Sequence, residues 1–190
     1  MTPTTQRLYS EAEYEELEEK APYKSEYYRG QVFAMAGGSF AHGALAIAVG
    51  GLLRDVIDRK RCTVLSSDVR IRIAASGLQT YPDVSVVCGK PKFGTKSRDS
   101  HENPVLIVEV LSPTTEAYDR GGKFAEYKLI ESLREYLLVS QAGVRVELFR
   151  KQPDGTWSAA IAEGLQAELR LDSVGVTMRL ADIYEGIELV

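Results

Sequence analysis

Cysteine, histidine and tryptophan are scarce here: two, two and one among 190 residues. Cys62 and Cys88 are too few and too far apart for a zinc site of the C-x-x-C type. Each sits among strand-forming residues, and the expectation is two buried, reduced thiols. Long apolar runs are missing as well. A membrane span needs ~18 apolar residues, and the longest low-charge stretch, Val32 to Leu53, is broken by glycine, serine and histidine. Met1 to Ser10 has no apolar core of a secretory signal, so the expectation is a cytoplasmic protein with no membrane partner. Positive charge is not in excess either. Lys+Arg number 23 against 27 Asp+Glu, a net charge of -4. That argues against a generic nucleic-acid coat, but not against an enzyme whose contacts are local patches or metal ions.

What is present is the composition of an ordinary globular domain, 44% hydrophobic and 26% charged. Disordered, collagenous and coiled-coil chains are thereby excluded. The length suits a single domain, 1–190, that can bury roughly 70% of its unfolded surface without staples.

Ser10-x-x-Glu13 is a capping box and opens a short acidic helix at about 10–20, whose six glutamates read as a solvated face. Tyr27 to Met35 reads as a hairpin turning at Arg29-Gly30. Helical spacing of Leu45, Val49, Leu52, Leu53 and Val56 predicts a helix from Phe40 to Asp58. Strands are expected at Cys62–Ile73, Val84–Cys88, Val105–Leu111, Glu135–Val139, Val144–Arg150 and Trp157–Ala162. A polar loop is expected over Lys90–Glu102, and a helix from about Tyr118 to Ile130. A short closing helix falls near Leu180 to Tyr184. Helices and strands alternate too sparsely for a doubly wound fold, so the class is α/β (α+β), a central mixed sheet flanked by helices. No dinucleotide or P-loop glycine pattern, nucleophile elbow or H-E-x-x-H motif appears.

The informative residues are the acids. Glu109 interrupts the apolar run Val105–Leu111, and a carboxylate there is costly unless paired, protonated or metal-bound. Asp83 follows Pro82, which marks a strand start because proline cannot donate to a ladder. If the two strands are neighbours, the carboxylates meet across ~5 Å. They would repel unless a cation joined them, and oxygen ligands suit Mg²⁺ or Mn²⁺ rather than zinc. The strand offers no lysine: two residues after Glu109 comes Leu111. The next helix offers Lys123, behind Gly121-Gly122. Each residue also has a plainer reading: Asp83 as a cap, Glu109 paired with Arg134 or another buried cation, Lys123 as a solvated helix residue.

Pro82-Asp83, Glu109-Val110-Leu111-Ser112-Pro113-Thr114-Thr115, Asp119-x-x-x-Lys123-x-x-x-Tyr127 and Leu133-Arg134-Glu135-Tyr136 resemble the Uma-two family, restriction-endonuclease-like proteins of the PD-(D/E)XK nuclease superfamily. The resemblance spans nearly the whole chain. It implies a restriction-endonuclease-like core and a metal-dependent endonuclease that hydrolyses phosphodiester bonds, of DNA, leaving a 5′-phosphate. Asp83 matches the first acid of the motif and Glu109 the second. Leu111 departs from the expected lysine, and the resemblance implies that Lys123 takes that role from the helix. Asp83, Glu109 and the carbonyl of Val110 are then the expected ligands of Mg²⁺ or Mn²⁺. Asp68, His42, Glu26 and Tyr127 are possible accessory residues. Lys90, Lys92, Lys96, Arg98 and the cluster Arg59-Lys60-Arg61 are candidate phosphate contacts. A homodimer is expected, with apolar residues such as Leu17 and Ile187 at its edges. The alternative is a catalytically inactive nucleic-acid- or protein-binding domain on the same fold. A two-carboxylate glycosidase is a third reading, in which the lysine has no role.

Overall fold

The computed structural model describes residues 7–94 and 98–189; Lys96 lies outside them. In chain order the strands are β1 Ser25–Tyr28, β2 Gln31–Ala34, β3 Cys62–Ser66, β4 Arg70–Arg72, β5 Gln79–Thr80, β6 Val84–Cys88, β7 Ser100–His101, β8 Leu106–Val110, β9 Glu135–Val139, β10 Arg145–Lys151, β11 Trp157–Glu163, β12 Glu168–Leu171 and β13 Val176–Arg179. The helices are α1 Glu11–Lys20, α2 Phe40–Val56, α3 Glu116–Tyr118, α4 Phe124–Tyr127 and α5 Leu180–Ile183. A π-helical turn, Asp119–Lys123, joins α3 to α4.

Two sheets carry the molecule. The larger has the order β11-β10-β9-β8-β6-β3, and the smaller β2-β1-β5-β4-β7. In the larger sheet β8 and β9 run parallel, while the other neighbours are antiparallel. A parallel pair cannot close through a tight turn; it needs a crossover. Here the crossover carries α3, the π turn and α4. Strand β8 is buried throughout, one face in each of two cores. Leu106, Val108 and Val110 pack with Leu45, Val49 and Leu53 of α2. Ile107 and Leu111 pack with Phe124 and Tyr127 of α4. Glu109 therefore points to the crossover side.

The helix starts are explained by local chemistry. Ser10 and Glu13 form the full capping box of α1, and Ser39 caps α2 through the His42 amide. The first hairpin turns at Arg29 and Gly30, both at positive φ (49° and 84°), which favours glycine at the second position.

Several expectations need correction. Cys62–Ile73 is not one strand: it breaks after Ser66, and β3 and β4 belong to different sheets. The Lys90–Glu102 loop contains β7. A β12–β13 hairpin occupies the tail. It is tied down by Glu135, a buried carboxylate that accepts from Arg150 Nε (2.8 Å) and from the amides of Asp172 (3.0 Å) and Ser173 (2.9 Å). The glutamates of α1 are not all solvated: Glu11 pairs with Arg72 at 2.8 Å, and Glu18 accepts from Tyr81 at 2.8 Å. Cys62 and Cys88 are not free thiols; they face each other across β3 and β6 and form a disulfide. Ile187 packs against the core rather than forming an edge, whereas Leu17 is exposed. Among the described residues no helix is long and apolar enough to cross a membrane.

Candidate active site

The site lies where the two sheets meet. Strand β5 belongs to the smaller sheet and β6 to the larger, and Tyr81-Pro82-Asp83 passes between them. Strands β6 and β8 are antiparallel neighbours, with Val84 opposite Val108. Asp83 therefore falls beside the Glu109–Val110 end of β8. Its Oδ2 accepts the Val110 amide at 2.7 Å. His42, in the first turn of α2, brings Nε2 to the same oxygen at 3.2 Å. That contact raises the His42 pKa above its usual value, against the opposing effect of burial.

Glu109 is buried on the crossover face. Its Oε1 accepts from the Tyr127 hydroxyl at 2.7 Å and from Lys123 Nζ at 2.9 Å. Burial pushes its carboxyl up to about 8, with the Lys123 cation pulling the other way. Arg134 donates to the carbonyls of Glu131 and Leu133, and the buried cation paired with Glu109 is Lys123.

Lys123 is buried, not solvated. Besides Glu109, it stands 3.6 Å from Glu26 Oε1 and 3.6 Å from Asp119 Oδ1. Burial works against its charge, yet these three acids hold the ammonium above the ordinary lysine range. The π turn, a feature that frequently marks functional sites, carries both Asp119 and Lys123. Of the glycines before the lysine, only Gly122 is packed: a Cβ there would meet the Tyr118 ring at 3.2 Å, while one on Gly121 would meet nothing. Glu26 comes from β1 and also accepts from the Thr80 hydroxyl.

The fold thus brings Asp83, Glu109, Lys123, His42, Glu26 and Tyr127 to one place. Tyr127 touches the lysine's partner Glu109 through its hydroxyl. Asp68 is not there: it sits in the exposed β3–β4 turn, paired with Lys24 at 2.5 Å. The Arg59-Lys60-Arg61 cluster is elsewhere too. Arg61 and Gly89 hydrogen-bond at 2.7 Å beyond the Cys62–Cys88 pair, at the end of β6 opposite Asp83. Five residues of strand, roughly 16 Å, separate them from the acids.

Asp119 belongs to the site as well. Its signal was the i,i+4 spacing to Lys123, which puts opposite charges on one helix face. A second missed feature is Gln141, buried, which donates to the Leu111 carbonyl at 2.6 Å and accepts from Ser39 at 2.5 Å. It ties the end of β8 to the cap of α2. Nothing local in the sequence announces that link.

Could these residues hold a divalent ion? Among the described residues no group of three His, Cys, Asp or Glu side chains is arranged to hold a metal. Two carboxylates and a main-chain carbonyl form a sparser set. Mg²⁺ accepts such a set, because it keeps several waters. The remaining oxygens, Asp83 Oδ1 and Glu109 Oε2, take part in none of the contacts above. Three acids around one buried ammonium also leave negative charge for a cation to offset. The donor set fits a hard ion.

A mixed sheet between helices, with acids at the end of its central strands, defines the restriction-endonuclease-like class. A solved structure described as "a putative nuclease belonging to DUF820", from Anabaena variabilis, has this fold: TM-score 0.74, 16% identity, covering 93% of this chain and 97% of that one. Residues 11–181 match the Uma2 family, described as "Putative restriction endonuclease", and the chain belongs to that family. Two Synechocystis proteins are close relatives. One, "Uncharacterized protein slr1290", is 41% identical over 94% of this chain and 92% of its own length. The other, "Uncharacterized protein sll1609", is 37% identical over 89% and 96%.

Proposed function

We propose that the chain is a metal-dependent endonuclease that hydrolyses phosphodiester bonds in DNA. The observation that carries this reading is the buried Lys123 ammonium at 2.9 Å from Glu109, beside an Asp83 hydrogen-bonded to the next residue of the strand. Asp83, Glu109 and the Val110 carbonyl would hold Mg²⁺ or Mn²⁺. When bound, such an ion lowers the pKa of a water and offsets charge on the phosphate. Lys123 orients the attacking water or stabilises charge on the reacting phosphate, fixed in place by Glu26 and Asp119. Tyr127 holds the Glu109 carboxylate in its rotamer, and His42 does the same for Asp83. The protein acts in the cytoplasm as a homodimer.

The test is a melting curve. Mn²⁺ at millimolar concentration should raise the melting temperature by linkage, and Asp83→Asn should lose the response while keeping its fold. Cleavage of plasmid DNA should follow the same metal dependence. A wild-type curve unmoved by Mn²⁺ leaves the non-catalytic binding domain as the better reading.

A further inference from the structure

We propose that this site takes an unpaired nucleic-acid strand rather than a duplex, with a base next to the cut stacked on the ring of Phe33 or Tyr118. The inference rests on the nuclease reading above and deepens it. An open cleft of about 1060 Å³ leads to Asp83, Glu109 and Lys123. Duplex binders draw most of their affinity from Lys and Arg side chains that neutralise successive phosphates. This cleft lacks that equipment. Among the described residues its lysines are Lys24 and Lys123, with no arginine. Lys123 is buried among acids, and Lys24 is paired with Asp68. The acids Glu26, Asp83, Glu109, Glu116 and Asp119 all line the same cleft. The Arg59-Lys60-Arg61 cluster lies at the far end of β6.

Rings stand where cations are missing. Phe33 lies directly opposite Glu26 in the β1–β2 hairpin and is 47% exposed. Cross-strand partners share a face, so its ring is beside the acid that contacts Lys123. Tyr118 precedes the π turn, packs over Gly122 and is 42% exposed. Both line the cleft. Two half-exposed rings flanking the reacting groups offer stacking, which every base can use once it leaves its partner. In an intact duplex those base faces are already covered.

The experiment titrates a labelled single-stranded oligonucleotide, and its duplex, onto the full chain in Ca²⁺, read by fluorescence anisotropy. Mn²⁺ melting shifts are recorded on the same proteins. The single strand should bind about tenfold or more tightly than the duplex. Phe33→Ala should weaken single-strand binding roughly 5- to 150-fold, the scale of one lost stack. Phe33→Trp should restore it, and the Mn²⁺ shift should persist in both variants. Equal or tighter duplex binding overturns the inference. So does single-strand binding that survives both Phe33→Ala and Tyr118→Ala. If neither form binds while Mn²⁺ still stabilises the protein, the inference falls and the metal site stands; if the Mn²⁺ shift is missing too, the nuclease reading falls with it.

Discussion

Lys123 of the π turn and Glu109 of β8 bring their charged atoms together at 2.9 Å inside the protein. The parallel pairing of β8 with β9 makes this possible. The crossover must fold back over the sheet, and it does so on the face where Glu109 points.

Replacing Lys123 by methionine keeps the stem and removes the charge. Glu26, Glu109 and Asp119 then lose their common cation. Breaking a buried pair costs about 3 kcal/mol, readable by urea unfolding. Cleavage should fall about 100-fold or more, the scale of one preorganised charge, with Mn²⁺ binding retained. Lys128→Met is the control, since Lys128 is exposed and lies over the Phe124 ring. Unchanged cleavage in Lys123→Met, or an equal loss in the control, means that the lysine is misassigned.

Tyr127→Phe removes one hydroxyl from a buried network. Glu109 Oε1 keeps Lys123 but loses its 2.7 Å donor. A buried acceptor deprived of a partner costs about 1–3 kcal/mol. Identical unfolding curves for variant and wild type would show that this hydrogen bond contributes nothing.

The disulfide closes a loop of 26 residues' separation. Chain-entropy arguments give about 3 kcal/mol for a loop of that size. The Cys62→Ser, Cys88→Ser double variant should be less stable by that order, and thiol titration of the unreduced, unfolded wild type should find no free thiol. Two titratable thiols in freshly purified protein would sink the pairing.

Much of this was legible in the chain. The Arg29-Gly30 turn, the apolar spacing of α2 and the lone charge in β8 are local patterns with local causes. The Asp83–Glu109 approach was conditional on strand adjacency, which no local pattern supplies; the β6–β8 register meets that condition. The break between β3 and β4 has a local signal. Apolar residues fall on even numbers at Val64 and on odd numbers from Val69 to Ile73, and such a slip flips the face. The Cys62–Cys88 pairing and the Gln141 link depend on which strands and loops are neighbours in space, and neither has a local signature.

His101 is buried in β7, with Nε2 3.1 Å from Ser85 Oγ, and burial lowers its pKa to about 4. Its unfolded value is 6.5. Below pH 6.5 the unfolded chain binds a proton that the folded chain refuses. Stability from this group is therefore complete above pH 6.5 and declines toward pH 4, by about 3 kcal/mol in all. His101→Gln should flatten the stability profile over that interval. Parallel profiles for the two proteins would remove His101 from the account.

Glu135 has a consequence for how the molecule opens. A two-stranded hairpin is marginal alone in water, yet the β12–β13 turn gives two amides to a carboxylate rooted in β9. The hairpin cannot detach without taking both amide donors from that buried carboxylate and leaving it to Arg150. Its turn amides, Asp172 and Ser173, should exchange with solvent as slowly as the central strands, in the same cooperative unit. Trimming the chain before Glu168 should therefore unsettle the six-stranded sheet.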